Sequence, residues 1–230
     1  MVPNQIIIAD DGSGADTITV IKYWNSQLNI KHVWHQDIGF RKCKILNKSI
    51  NEISSHYVIF LDGDCLPHKH FVRDHIKLAE QGYFVQGRRC FVPEKEVESL
   101  INGERTLKSL FIRFKVSGYT KGIRLPVPIV IINQKQRGLI GCNWSVWLED
   151  LHRINGFDED FEGWGLEDSE ICTRLYNINI KRKFVYGHAV VHHLNHPILK
   201  RDLKKARAIL ENTLNSKKTR CLNGLSKTSK

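Results

Sequence analysis

Short apolar runs alternate along the chain with segments whose apolar residues recur at helical spacing. The runs predict strands at residues 5–9, 57–61 and 83–87. The run at 57–61 is rich in β-branched and aromatic side chains, which predicts a strand buried on both faces. Helical spacing is clearest over residues 41–54. The alternation predicts an α/β fold with a mixed, mostly parallel sheet flanked by helices.

The rest of the chain continues this alternation. Further helices are expected at residues 15–28, 70–81 and 148–155 and from residue 167, and further strands at residues 31–35 and 141–147 and from residue 184. Residues 93–137 are polar and lysine-rich with a weak helical pattern, so we expect an insertion of helices and a loop. Such insertions often carry acceptor or partner contacts.

Two aspartates follow the strand predicted at residues 57–61. Asp62 and Asp64 flank Gly63, at the carboxyl end of a strand, where open α/β sheets bind ligands. Two carboxylates this close repel unless a cation lies beside them, and Mg²⁺ or Mn²⁺ suits such oxygens. A plain polar turn explains the tripeptide equally well. An EF-hand is excluded, because Pro67 and Arg73 stand where its glycine and glutamate are required.

A second acidic pair, Asp10 and Asp11, closes the first predicted strand. Its residues either bind a ligand or form a turn that caps the next helix. Arg41, Lys42 and Lys44 crowd the first turns of a later helix, where they oppose the helix dipole. A bound anion would explain them, and so would a solvated basic face.

A Gly-Trp-Gly turn precedes the helix predicted from residue 167. Glu167 and Asp168 fall in the first turn of that helix, where acids stabilise the dipole without any further role. The two glycines around Trp164 indicate a tight backbone and an exposed aromatic plate on which a sugar can stack.

Four histidines lie within nine residues near the end of the predicted sheet: His188, His192, His193 and His196. Paired cysteines are absent, so a zinc finger is not expected. The cluster permits one imidazole ligand to a metal, although a single histidine is more often structural.

The composition is that of a globular protein with one large domain, or one domain and an appendage. The 230 residues are 41% hydrophobic and 26% charged. The N-terminus lacks the features of a signal peptide, and no run reaches the ~18 apolar residues of a membrane span. The six cysteines form no CxxC pair, so we expect reduced thiols and a cytoplasmic location.

The net charge of +11 favours anionic partners. Nucleic acid is not expected among them, because the predicted strand ends carry acids rather than aromatic residues among basic ones. From Leu199 the sequence predicts a basic amphipathic helix. Such a helix can lie peripherally on the anionic inner face of a membrane, or it can remain solvated. Residues 216–230 are expected to be frayed.

Together these motifs resemble the family 2 glycosyltransferases. The resemblance is closer to members with a galactosyltransferase-type C-terminal half, including the β-1,4-galactosyltransferases and bacterial capsule and lipopolysaccharide transferases. It covers about residues 5–197 and rests on five stretches: IIIADDGS, GFRKCKILN, FLDGDC, INGFDEDFEGWGLEDSEICTRL and VVHHLNHP. The fourth of these is the most specific.

The resemblance implies a GT-A fold, in which a Rossmann-like sheet holds a nucleotide sugar at its strand ends. FLDGDC matches the family's DxD metal motif. By that match Asp62 lies near the sugar or ribose and beside the metal, and Asp64 ligates Mn²⁺ or Mg²⁺. His193 is the implied second metal ligand, with His192 as the fallback.

The resemblance also assigns the remaining groups of the donor site. Asp11, together with Asp10, would hold the base or ribose of the nucleotide. Arg41 would approach its diphosphate.

The acceptor side follows from the same match. Trp164 and Gly165 would contact sugar. Asp168 would be the general base, assisted by Glu167.

One departure from the family concerns the start of the chain. The family normally begins with a strand and a helix before the acidic-pair strand, whereas the acidic pair here already stands at residues 10–11. We therefore expect an N-terminally truncated GT-A domain over residues 1–197, with the insertion at 93–137 and the galactosyltransferase-like half at 138–197. Residues 198–230 would form the appended tail.

The implied activity is a metal-dependent, inverting transfer of a hexose or N-acetylhexosamine. The donor would be a nucleotide sugar, most simply UDP-linked, and the acceptor a hydroxyl of a saccharide or glycolipid. The alternative is an inactive sugar- or nucleotide-binding remnant of such an enzyme, because of the missing N-terminal unit.

Overall fold

The computed structural model describes residues 1–112, 118–136, 139–197 and 202–227. The strands in chain order are β1 (Ile6–Asp10), β2 (Ile30–Trp34), β3 (Tyr57–Leu61), β4 (Cys65–Pro67), β5 (Tyr83–Gln86), β6 (Arg88–Val92), β7 (Ile129–Asn133), β8 (Asn143–Trp147), β9 (Lys181–Tyr186) and β10 (Val190–Leu194). The helices are α1 (Ala15–Asn25), α2 (Lys42–Ile50), α3 (Phe71–Leu78), α4 (Glu94–Ile101), α5 (Leu107–Ile112), α6 (Tyr119–Gly122), α7 (Leu148–Arg153), α8 (Glu167–Asn177) and α9 (Lys204–Ser216).

The chain divides into two compact units. Unit 1 comprises residues 59–146 and 181–200, and unit 2 comprises residues 2–58, 147–180 and 201–230, each within the described ranges. The mixed α/β architecture predicted from the alternating periods is present.

The largest sheet has the strand order β3-β8-β5-β9-β7. Strand β5 runs parallel to β9 and antiparallel to β8, while β7 runs antiparallel to β9. The prediction that β3 is buried on both faces is wrong. Its residues are half-buried and Leu61 is 39% exposed, because β3 lies at one edge of this sheet and has only β8 beside it.

Strand β7 was not foreseen within the predicted insertion. It begins directly after Pro128, and all of Ile129–Ile132 remain exposed at the other edge of the sheet. A short apolar run that follows two prolines in a polar segment gave no strand signal, since it has no alternation.

A second sheet in unit 1 contains three strands, in the order β4-β10-β6. Strand β10 is antiparallel to β4 and parallel to β6. The expectation that the last strand begins at residue 184 is wrong: β9 ends at Tyr186, and a turn at Gly187 leads to β10, which carries His192 and His193.

The two faces of this sheet pack against different cores. On one face Cys65, Phe71, Cys142 and Val191 form a buried cluster. On the opposite face Cys90, Val92 and Leu110 are buried, with α4 and α5 supplying further apolar side chains. The alternation of side chains along β6 and β10 therefore separates two environments.

In unit 2, β1 and β2 pair in parallel, and Asp10 lies opposite Trp34 in their register. Helix α2 packs against β1, and its Cys43, Ile45 and Ile50 are buried. The expectation that the sheet lacks the first strand of the family stays a prediction.

A buried arginine holds the second half of unit 2 together. Arg174 on α8 is fully buried and forms a two-bonded ion pair with Glu170, at 2.8 Å for each nitrogen–oxygen contact. Its Nη1 also donates to the carbonyls of Ile154 and Gly156, at 2.6 and 2.7 Å. Thr213 on α9 donates to Glu170 at 3.0 Å, so one ion pair connects α8, α9 and the segment after α7.

The prediction of a frayed tail is wrong for residues 217–227. Cys221 is 1% exposed. The side-chain nitrogen of Asn155 donates to the carbonyls of Cys221 and Ser226, and its side-chain oxygen accepts from the Ser226 amide. The tail is ordered because it satisfies the polar atoms of Asn155, which itself adopts a φ of 67°.

The structure also does not support membrane docking by the terminal helix. Helix α9 packs on α8, with Thr213 buried and Leu203, Ala206 and Leu210 partly buried, while Leu214 on the same face is 40% exposed. The apolar face expected to enter a membrane is therefore partly covered by protein. Within the described residues, no helix is long and apolar enough to cross a membrane.

Candidate active site

Three potential metal ligands meet in unit 1. The Nε2 atom of His193 lies 3.2 Å from Oδ2 of Asp64, and the Nε2 atom of His196 lies 3.1 Å from the same oxygen. One ligand atom from each residue lies within 4.8 Å of the other two. The two imidazole rings are stacked, with centroids 5.6 Å apart.

The turn after β3 and the pairing of β4 with β10 create this cluster. The Asp62 carbonyl accepts a hydrogen bond from the amide of Cys65 at 3.1 Å, which closes the Asp-Gly-Asp turn. In the antiparallel register His193 lies opposite Cys65, and the Asp64 carbonyl accepts from the amide of Leu194 at 2.8 Å. Backbone bonds thus place the acidic turn and the histidines together.

The histidine environments suit ligation through Nε2. Nδ1 of His196 lies 3.0 Å from the Pro197 carbonyl; donation there leaves Nε2 its lone pair. Burial lowers the pKa of His193 despite the opposing effect of Asp64, so its ring is neutral at neutral pH. The pKa of His196 is raised, first by the bond to Pro197 and also by Asp64.

Other residues predicted for the metal site take different positions. His192 is turned away from Asp64 by the alternation of β10 and is buried, with Nδ1 3.3 Å from the Leu66 carbonyl. Asp62 is half-buried outside the three-residue cluster, yet close enough that its charge acts on His193. His196 was seen in the sequence cluster but not singled out, although Pro197 directly follows it.

In unit 2, Asp10 serves the turn after β1. Its Oδ1 accepts from the amides of Ser13 and Gly12, at 2.7 and 3.2 Å, and its Oδ2 lies 2.8 Å from Nε2 of His32. Burial alone would raise the pKa of Asp10, but the bonds to Ser13 and His32 together lower it. These contacts close the turn, as one of the two alternatives expected, but Asp10 does not cap α1, whose N-cap is Gly14 without a side-chain bond.

Asp11 and Arg41 are neighbours in the same unit. One carboxylate oxygen of Asp11 accepts from the Arg41 backbone amide at 2.7 Å, and the other contacts Nε2 of His35. The Arg41 guanidinium donates to the Gln36 carbonyl. Its Nε is buried and, within the described part of the chain, has no hydrogen-bond partner. The acidic turn therefore fixes the start of α2.

The Gly-Trp-Gly turn is strained and presents its tryptophan. Gly163, Gly165 and Leu166 have φ values of 83°, 119° and 70°, and Leu166 is the residue before α8. A left-handed leucine costs roughly 1–2 kcal/mol, which is typical of functional turns. Trp164 is 40% exposed, as a surface for stacking requires.

The two acids after this turn have different environments. Glu167 is buried; its Oε2 accepts from the Gly165 amide at 2.9 Å, and its Oε1 lies 3.8 Å from the Lys42 ammonium. Asp168 is only half-buried in the first turn of α8. Glu167 thus supports the turn, whereas Asp168 is accessible to solutes.

Solved structures share the architecture of this chain. A structure of GalNAc-T7 with UDP, GalNAc and Mn²⁺ matches with a TM-score of 0.59 and 12% identity, covering 90% of this chain and 41% of that one. The mannosyltransferase PcManGT from Pyrobaculum calidifontis, with GDP-Man and Mn²⁺, matches with a TM-score of 0.53 and 18% identity, covering 90% and 52%. The fold is that of the GT-A glycosyltransferases.

Sequence comparison supplies the family. Residues 3–135 match the family described as Glycosyl transferase family 2, and residues 130–197 match the one described as N-terminal domain of galactosyltransferase. The first match covers more than half of the chain, which therefore belongs to glycosyltransferase family 2. Chondroitin synthase of Escherichia coli is 27% identical over 216 residues, which is 84% of this chain but 30% of that protein. The chain spans less than half the length of such relatives.

Proposed function

We propose that this chain transfers a hexose or N-acetylhexosamine from a nucleotide sugar to a hydroxyl of a saccharide or glycolipid, with inversion and with a divalent cation. The cluster of Asp64, His193 and His196 carries the proposal, because it offers one oxygen and two nitrogen donors around one point. A UDP-linked donor is the simplest choice, since a structural neighbour with this fold contains UDP and GalNAc.

The donor set fits Mn²⁺ better than Mg²⁺. Imidazole nitrogens suit transition metals, whereas Mg²⁺ prefers oxygen ligands alone. Asp64, His193 and His196 would hold the ion, with Asp62 adding negative charge nearby. When bound, the cation supplies positive charge that stabilises the leaving nucleoside diphosphate.

The remaining roles fall to residues of unit 2. Asp168 accepts the proton of the acceptor hydroxyl during attack, and a carboxylate at a helix start keeps its charge for this purpose. Glu167 holds the turn that presents Trp164, on which a sugar stacks, with Gly165 leaving it room. Asp10 and Asp11 bind the base or ribose of the donor and Arg41 its diphosphate, as the family resemblance implies.

Changing either histidine is expected to weaken Mn²⁺ binding at least tenfold, since losing even an outer partner of a ligand costs about 10–100-fold. The variants are His193→Ala and His196→Ala, and free Mn²⁺ is measured by electron paramagnetic resonance during titration. His192→Gln is the matched control and should leave the affinity unchanged, because His192 faces the Leu66 carbonyl instead. If His192→Gln loses as much Mn²⁺ affinity as the other two variants, or if His193→Ala and His196→Ala keep the wild-type affinity, the cluster is not the metal site.

The activity itself is tested by a donor screen with and without Mn²⁺. Hydrolysis or transfer from one of UDP-galactose, UDP-glucose, UDP-GlcNAc, UDP-GalNAc or a GDP sugar, only when Mn²⁺ is present, is the expected result. Mn²⁺-dependent binding of a nucleotide without turnover of any donor would instead support the inactive remnant. Turnover that persists after removal of all divalent cations would contradict the metal dependence.

A further inference from the structure

Arg89 lies on the same face of the three-stranded sheet as the metal cluster. It faces Val191 across the parallel pairing of β6 with β10, and Phe91, two residues on, faces His193. The Phe91 and His193 rings meet edge to face, with centroids 5.3 Å apart. The Arg89 guanidinium carbon lies 5.0 Å from the centroid of the Phe91 ring. A short chain of contacts therefore joins Arg89 to a proposed metal ligand.

The Arg89 guanidinium is poorly satisfied for a half-buried group. Among the residues that the structure describes, its one hydrogen bond is from Nη1 to the Cys142 sulfur at 3.6 Å, and sulfur is a weak acceptor. No carboxylate of the described residues forms an ion pair with it. By contrast, Arg124 in the same unit bonds both oxygens of Asp74, at 2.8 and 3.1 Å.

The adjacent residue, Arg88, has the surroundings of a structural arginine. Arg88 lies over two aromatic rings, 4.8 Å from the Phe184 centroid and 4.5 Å from that of Tyr186. Its charge is accommodated by these ring faces. Arg89 has one such ring and a thiol, and most of its five N–H donors remain available to an external acceptor.

We propose that Arg89 binds the diphosphate of the nucleotide-sugar donor next to the metal cluster. A planar guanidinium suits paired phosphate oxygens, and its charge adds to that of a cation held by Asp64, His193 and His196. As the donor bond breaks, the leaving diphosphate gains negative charge, which Arg89 is placed to stabilise. This inference rests on the proposed function, because it assumes that the cluster receives a metal-bound diphosphate.

The test measures binding of inorganic pyrophosphate to the full chain by calorimetry, with and without Mn²⁺. Arg89→Met is expected to weaken pyrophosphate binding about 10- to 100-fold, the range for a hydrogen bond to a charged group. Arg88→Met is the matched control: it removes the same charge from the neighbouring residue and should bind pyrophosphate like the wild type. Arg89→Lys keeps the charge but not the fork, so its affinity should fall between those of the wild type and Arg89→Met.

Titration of the same variants with Mn²⁺ alone separates this inference from the proposed function. Arg89→Met should bind Mn²⁺ at least as tightly as the wild type, because a nearby positive charge has been removed. If the wild type binds no Mn²⁺, the metal site fails, and metal-free pyrophosphate binding decides the role of Arg89. Equal pyrophosphate binding by the wild type and Arg89→Met, an equal loss in Arg88→Met, or no binding by the wild type would overturn the inference. Should Arg89→Met fail to fold by circular dichroism, Arg89→Lys against Arg88→Lys gives the same comparison.

Discussion

Asp168→Asn is expected to lower turnover of the sugar nucleotide by about 10²–10⁴-fold, the usual contribution of a general base. The substitution keeps the shape of the side chain and removes its basicity. Asp168 is half-buried at the start of α8, directly after the strained turn that presents Trp164. Steady-state turnover of the donor found in the screen is the measurement, and Mn²⁺-dependent binding of UDP should remain unchanged.

Glu167→Gln separates the two neighbouring acids. Glu167 is buried and bonds the Gly165 amide at 2.9 Å, and an amide oxygen can still accept that bond. We therefore expect a smaller loss of turnover than in Asp168→Asn, together with a lower melting temperature, since the Lys42 ammonium loses its charged neighbour at 3.8 Å. Near-normal turnover in Asp168→Asn with a large loss in Glu167→Gln would transfer the base to Glu167.

The features predicted best from the sequence are those that depend on residues adjacent in the chain. An apolar run that ends in Asp-Gly-Asp specifies a strand and an acidic turn locally, and Asp64 lies in that turn as expected. Asp10 likewise closes its own turn. These features follow from backbone chemistry within a few residues, so a single sequence contains enough information to place them.

Strand pairing was harder to predict because it depends on distant residues. Strands β4, β6 and β10 contain three to five residues each, and each is stabilised by its neighbours in the sheet. The role of His196 follows from the pairing of β10 with β4, which no local pattern reveals. No local pattern distinguishes Arg89 from the other basic residues of a chain with net charge +11, and only the strand pairing places it near Phe91 and His193.

The tail shows a different limit of sequence reasoning. Its polar composition predicts fraying, yet residues 217–227 satisfy the buried amide of Asn155 and cover Gly156. Gly156 has a φ of 69°, and a methyl group there would meet Asn47 and Leu225 at 2.5 and 2.7 Å. The specific INGF stretch thus owes part of its composition to tail packing, which only the folded chain displays.

Arg174→Met should destabilise unit 2 by about 3–5 kcal/mol, the cost of breaking a buried ion pair from one side. Arg174 is fully buried, and its loss leaves Glu170 charged without its partner. It also removes the guanidinium donor from the carbonyls of Ile154 and Gly156, of which Ile154 keeps a bond from the Cys221 amide at 3.4 Å. Urea unfolding followed by circular dichroism measures the change.

Arg207→Met on α9 is the control for the loss of one positive charge. Arg207 is exposed, so this substitution should change the free energy of unfolding by less than about 0.5 kcal/mol. The double variant Glu170→Leu with Arg174→Met should recover part of the stability lost in Arg174→Met, because no unpaired charge then remains buried. If Arg174→Met unfolds at the same urea concentration as Arg207→Met, the ion pair is not what connects α8, α9 and the segment after α7. If the double variant is less stable than Arg174→Met, the hydrogen bond that Glu170 accepts from Thr213 contributes more than the unpaired carboxylate costs.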